Sequence, residues 1–236
     1  MNESVLIIGA GPGLSASLAR LCFLKKMKVI MASRNIKKLD ELKKEVEGET
    51  IECDSSNIES VSNLFKQLDK KVGTPNLVVY NASSRPKRES VIDLNPKETQ
   101  KSINITCFGA FLVAQEATKR MIKRKSGSIF FTGATAGVKG FANSSAFAMG
   151  KFGLRGLAQS LARELHPKGI HITHFVIDGV IGKEPKDDYQ TRLPRLYSTE
   201  RRRSAEHVAA ELFPRCDHRY HDGGDEWFGI DAADQG

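Results

Sequence analysis

The chain has 236 residues, 40% of them hydrophobic and 27% charged, with a formal net charge of +8. That length and mixture suit one compact domain and exclude a fibrous or extensively disordered protein. No run approaches the roughly 18 apolar residues of a membrane helix, and strand-like sequence begins within about four residues of Met1.

These features predict a cytoplasmic protein with no membrane partner. The positive charge suits a ligand carrying several phosphates, whereas no aromatic-basic cluster or groove-reading motif points to nucleic acid. Cys22, Cys53, Cys107 and Cys216 lack CxxC or Cys/His ligand spacing, so neither a metal site nor a disulfide framework is expected.

Val5 to Ile8 is an apolar run closed by the glycine-rich GAGPG, and Leu14, Leu18, Leu21 and Cys22 follow at helical spacing. The chain therefore opens as strand, tight loop and helix. Lys28 to Ala32 predicts a second strand, followed by a charged helix over about Ile36 to Glu47. A strand at Thr50 to Cys53, a helix over about Ile58 to Leu68 and the strand Leu77 to Tyr80 continue the alternation. A helix around Thr99 to Ile122, the strand Ser128 to Thr132, a helix around Phe147 to Leu165 and the strand Ile170 to Ile177 complete it.

In that last helix Leu154, Leu157, Ala158, Leu161 and Leu165 form one apolar stripe. Such alternation predicts an α/β fold, a doubly wound parallel sheet of Rossmann-like type, as a single domain over residues 1–182. Beyond Gly182 the character changes, since no lysine follows Lys186 while seven arginines do. Ala205 to Phe213 is a candidate short helix, and residues 183–236 read as an atypical tail or lid.

A loop between the first strand and helix can present backbone N–H groups to an anion, and glycine lets a diphosphate approach. Gly9, Gly11 and Gly13 supply such a loop, with Leu14 as the next candidate cofactor contact, although glycines also make ordinary tight turns and a leucine at 14 breaks the GxGxxG spacing. Other candidate cofactor contacts fall at successive strand ends: Ser33 and Arg34, then Asp54 and Ser55, then Asn81 and Ala82. A hydroxyl and a guanidinium at 33 and 34 suit a ribose 2′-phosphate, where an acidic residue would suit a free ribose. NADP(H) is the expected cofactor, the alternative for Arg34 being a solvated surface charge.

In order, these segments resemble the classical short-chain dehydrogenase/reductase family over roughly residues 4 to 182. Gly9, Gly13 and Ser15 look like its GxxxGxG loop with the last glycine replaced, and CDSS at Cys53 to Ser56 resembles its adenine-contacting acidic motif. Asn81 and Ala82 stand where its NAG begins, INITCFGAF resembles the helix carrying its structural asparagine, and IDG at Ile177 to Gly179 replaces its proline-glycine. The resemblance implies hydride exchange between a nicotinamide and a small carbonyl or alcohol, with homo-oligomer formation through the helices near Thr99 and Phe147.

In that family a tyrosine exchanges the proton, a lysine lowers its pKa and binds the ribose, a serine polarises the substrate and an asparagine holds a water relay. Lys151 and Asn104 match the lysine and asparagine, but FAMGK places Phe147 at the tyrosine position, and GATAG places Ala134 at the serine position. A positioned general acid is worth about 10² to 10⁴ in rate, and one oxyanion donor about 10² to 10³.

Thr132, Thr135, Ser144 and Ser145 flank the expected pocket and could orient a water. Two readings stay open, an oxidoreductase with an unconventional proton route and a catalytically silent NADP(H)-binding sensor or inactive partner subunit. Phe147 could also be only a core residue, and Asn104 only a structural one. His166, His171 and His174 around the sixth strand read as surface or packing groups.

Overall fold

A computed structural model describes residues 3–178, together with the backbone of residues 180–182 and 202–204. Six strands, β1 (Ser4–Ile8), β2 (Lys28–Ser33), β3 (Glu49–Glu52), β4 (Leu77–Tyr80), β5 (Gly127–Thr132) and β6 (Ile170–Phe175), form one sheet in the order β3-β2-β1-β4-β5-β6. Every pairing in it is parallel. The chain starts at the sheet centre, builds outward to β3 and then crosses back to β4. That reversal opens a crevice beyond the carboxyl ends of β1 and β4, where such sheets bind ligands.

The helices are α1 (Leu14–Leu24), α2 (Asp40–Glu45), α3 (Ile58–Lys71), α4 (Pro96–Ile103), α5 (Gly109–Arg124) and α6 (Ser145–Leu165). Strand alternation divides the core between the two faces of the sheet. Leu6 and Ile8 of β1 pack with Leu64 of α3, Val113 of α5 and Leu154 of α6. Val5 and Ile7 point the other way, against Leu18 and Cys22 of α1 and Leu42 of α2. Both faces of β1 are closed to water, which explains its unbroken apolar run. Cys22 and Cys53 are packing groups in these two cores.

The predicted helix from Thr99 to Ile122 spans Pro96 to Arg124 and contains a π-helical stretch at Asn104–Phe108. Asn95 starts it, its side chain accepting from the N–H groups of Lys97 and Glu98, with Pro96 at the first helical position. Tyr80 donates from its hydroxyl to the Ile105 carbonyl, tying the π stretch to the end of β4. Gly109 follows because a Cβ there would lie 2.5 Å from the Tyr80 Oη and 2.6 Å from the Ser55 carbonyl oxygen.

Two expectations needed adjustment. The charged helix over 36–47 is a 3₁₀ turn, Ile36–Leu39, followed by the short α2. The last strand of the large sheet ends at Phe175, two residues before the expected Ile177, although the Thr135 N–H still donates across to the Ile177 carbonyl at 3.2 Å. Beyond it, β7 (Val180–Gly182) and β8 (Arg202–Ser204) pair in parallel, a feature absent from the sequence reading. The candidate helix at Ala205 to Phe213 and the rest of the tail lie outside the described residues. Among the described residues no helix is long and apolar enough to cross a membrane.

Candidate active site

The chain leaves β1 through Gly9, whose φ of +76° is left-handed. A Cβ there would lie 2.5 Å from both the Ala82 nitrogen and Cα, so only glycine lets the ends of β1 and β4 meet this closely. Asn81 secures the junction, its backbone N–H donating to the Ile8 carbonyl at 2.9 Å and its side chain to the Gly9 carbonyl at 3.3 Å. Gly11 and Gly13 face open space, and α1 begins at Leu14 with neither a side-chain cap nor an acidic residue in its first turn. The positive end of a helix is thereby left bare beside an uncrowded backbone, an arrangement that fits a diphosphate. Ser15 closes the loop from inside, its hydroxyl accepting from the Gly11 N–H and donating to the Gly11 carbonyl, both at 2.9 Å.

At the end of β2, Ser33 is half-buried and Arg34 is exposed. The next strand ends beside them. Partial burial disfavours the Asp54 carboxylate, but the Ser56 hydroxyl at 2.7 Å and N–H at 3.0 Å, with the charges of Arg34 and Lys101, outweigh it. Its pKa is accordingly held below the ordinary value. Ser55 is turned inward, its hydroxyl donating to the Tyr80 hydroxyl oxygen at 3.1 Å. Burial in turn pushes the Tyr80 phenol pKa up, so this tyrosine is a strut and not an acid.

A cleft of about 690 Å³ opens between the β4 and β5 ends and α6, with Leu14, Asn81, Ala134, Phe147 and Lys151 in its wall. Lys151 is 4% exposed and donates to the Thr132 carbonyl at 2.8 Å. Burial, with help from the Arg85 charge, pulls its pKa from 10.5 to about 8. Phe147 lies between two cations, the Arg85 guanidinium 5.1 Å and the Lys151 ammonium 5.8 Å from its ring centroid. Thr132, Thr135 and Ser144 also line the cleft. Ser145 starts α6, exposed, and is not among the lining residues. The Thr135 hydroxyl is engaged by the Asp178 carboxylate at 2.6 Å.

Asn104 does not join this group. It sits in the π stretch, its side chain accepting from Gln100 at 2.9 Å, and is not part of the cleft wall. Gly133 packs so tightly on His174 that a Cβ would lie 2.4 Å from the imidazole Cε1. His174 is 6% exposed, and neither ring nitrogen has a partner among the described residues. Burial, then the charges of Lys151 and Arg155, drives its pKa down to about 4. Among the described residues no cluster of three or more His, Cys, Asp or Glu side chains is placed to hold a metal ion.

Sequence reasoning missed Arg85. Its signal was the basic run SSRPKRES directly after Ala82, since loops leaving the carboxyl ends of strands face the ligand crevice in this class of sheet. No periodicity announces the stacking on Phe147, which requires the β4 loop and α6 to meet.

Comparison with known proteins agrees with this geometry. The chain is 26% identical over 195 residues to a 3-oxoacyl-[acyl-carrier-protein] reductase of Bos taurus, covering 82% of this chain and 81% of that one. It is 29% identical over 184 residues to the 3-oxoacyl-[acyl-carrier-protein] reductase MabA of Mycobacterium avium, covering 78% and 69%. Among solved structures, a short-chain dehydrogenase from Rhodopseudomonas palustris superposes with a TM-score of 0.70 at 31% identity, over 75% of this chain and 84% of that one. A tyrosine-to-phenylalanine variant of ElxO with NADPH bound gives a TM-score of 0.71 at 25% identity, over 76% and 74%. The family model for short chain dehydrogenases matches residues 3–182, and the chain belongs to that family of oxidoreductases.

Proposed function

We propose that the chain is an NADP(H)-dependent oxidoreductase of a small carbonyl or alcohol, with Lys151 supplying the proton that a phenol supplies elsewhere in the family. The observation that carries this reading is the buried Lys151 ammonium in the cleft wall beside Phe147. The bare α1 terminus and open Gly11 and Gly13 fit a diphosphate, and Arg34 beside Ser33 fits a 2′-phosphate. NADPH bound to the ElxO variant, and a reductase activity named for the bovine and mycobacterial relatives, support the same cofactor and a carbonyl acceptor.

The reduced nicotinamide contributes a hydride when bound. The chain contributes the proton and the surroundings. An amine whose pKa lies near the working pH is a competent general acid, and Lys151 at about 8 is protonated at pH 7. Lys151 gives one proton to the carbonyl oxygen as negative charge gathers there, and water restores it, leaving an alcohol. Ser144, buried in the cleft wall, offers a hydroxyl where Ala134 has none.

The test is a fluorescence titration with NADPH and NADH, followed by NADPH oxidation across carbonyl substrates including 3-oxoacyl thioesters. Tighter NADPH binding, turnover falling as pH rises through about 8, and loss of turnover in Lys151→Ala are expected. Unchanged NADPH affinity and turnover in Lys151→Ala would refute the role.

The absence of a hydroxyl at both Phe147 and Ala134 favours a second reading, a silent cofactor-binding sensor or inactive partner subunit. It predicts binding without turnover, and activity gained by Phe147→Tyr with Ala134→Ser. Self-association is part of the proposal, since Phe108, Phe111, Met149 and Phe152 on and beside α5 and α6 are each at least 39% exposed. A monomeric mass by light scattering would remove it.

A further inference from the structure

The loop after β4 is more basic than cofactor binding asks for. Arg85, Lys87, Arg88 and Lys151 all line the cleft, and Asp178 is the carboxylate in its wall. Lys87 is paired with Glu89 at 2.9 Å, and Asp178 is held by Thr135. Among the described residues, Arg85, Arg88 and Lys151 have no acidic partner. Cations gathered around one apolar ring repel each other unless an anion joins them.

Arg85 is also prepared for a ligand. Pro86 follows it and restricts its backbone to extended conformations. Its guanidinium rests over the Phe147 ring. A guanidinium carries a planar fork of N–H donors that matches a planar, two-oxygen acceptor. The features that fit the cofactor's phosphates, the α1 terminus and Arg34, lie at the ends of β1 and β2 instead.

We infer that the substrate is a carbonyl compound bearing a carboxylate, and that Arg85, held over the Phe147 ring, is the residue that receives that carboxylate. This rests on the cleft being a carbonyl-reducing site, as proposed above.

The test uses pyruvate, acetoacetate and levulinate, each against its methyl ester, titrated calorimetrically into the protein with and without saturating NADPH. At least one acid should bind about tenfold or more tightly than its ester. Arg85→Gln should reduce that preference to less than about twofold while NADPH affinity stays within about twofold. Equal binding of acids and esters, no binding of any acid at millimolar concentration, or a preference that survives Arg85→Gln would overturn the inference. So would a parallel loss of NADPH affinity in Arg85→Gln, which would assign the residue to the cofactor. If NADPH fails to bind the unaltered protein while the acid preference persists without it, the reductase reading falls and the carboxylate site stands.

Discussion

Replacing Lys151 by methionine should make the protein more stable and less functional. The ammonium is 4% exposed and its pKa has fallen from 10.5 to about 8. At about 1.4 kcal/mol per pH unit, keeping it charged costs the folded state about 3 kcal/mol. Because the folded pKa lies below the unfolded one, that cost is fully present below about pH 8 and fades as pH rises toward 10.5. Methionine keeps the stem's volume and removes the charge, but leaves the Thr132 carbonyl without its donor, a loss of about 1 to 2 kcal/mol. The net expectation at pH 7 is a gain of about 1 to 2 kcal/mol, or about 3 to 6 °C in Tm, together with weakened NADPH binding. Urea unfolding followed by circular dichroism at pH 7 and pH 10 checks this. A variant less stable than the parent at pH 7, or a difference that does not shrink at pH 10, would show that the buried charge is not the strain assumed.

Three further outcomes follow from the same geometry. His174, with its pKa depressed to about 4, is destabilising as pH falls from 6.5 toward 4, by up to about 3 kcal/mol. His174→Leu should therefore flatten the acid limb of the stability profile, and an unchanged limb would place its cause elsewhere. Gly9→Ala meets both a left-handed φ and the Ala82 backbone at 2.5 Å, so it should lose about 2 kcal/mol or more and bind NADPH poorly. A thermal melt and a fluorescence titration read both effects. Arg34→Ala should weaken NADPH by about tenfold or more while leaving NADH affinity within about twofold, and equal losses for both nucleotides would contradict a 2′-phosphate contact.

The fold was legible because its signals are local and repeated. An apolar run such as Val5 to Ile8 can be closed to water on both faces only in a covered parallel strand, and the helical stripe of α6 needs a sheet to lie on. Gly9 was legible for the same reason, since a strand that must turn at once into a helix needs a residue tolerant of positive φ. The positions of Phe147 and Lys151 were likewise legible in part, because a spacing of four on one helix brings both to the same cleft wall.

What the sequence could not supply is every contact between distant segments. Arg85 and Phe147 are 62 positions apart and meet over one ring only because the β4 loop and α6 border the same crevice. Thr135 and Asp178, Tyr80 and Ser55, and His174 under Gly133 are pairings of the same kind. Asn104 and Lys151 looked equivalent as motif residues, yet only Lys151 lines the cleft, while the Asn104 side chain accepts from Gln100 one helical turn before it. The lowered pKa of Lys151 likewise belongs to the fold, because it comes from burial and from a neighbouring cation that only tertiary packing brings near. Residue order determined which strands and helices form. The charge and chemistry of the cleft were decided when the sheet brought their ends together.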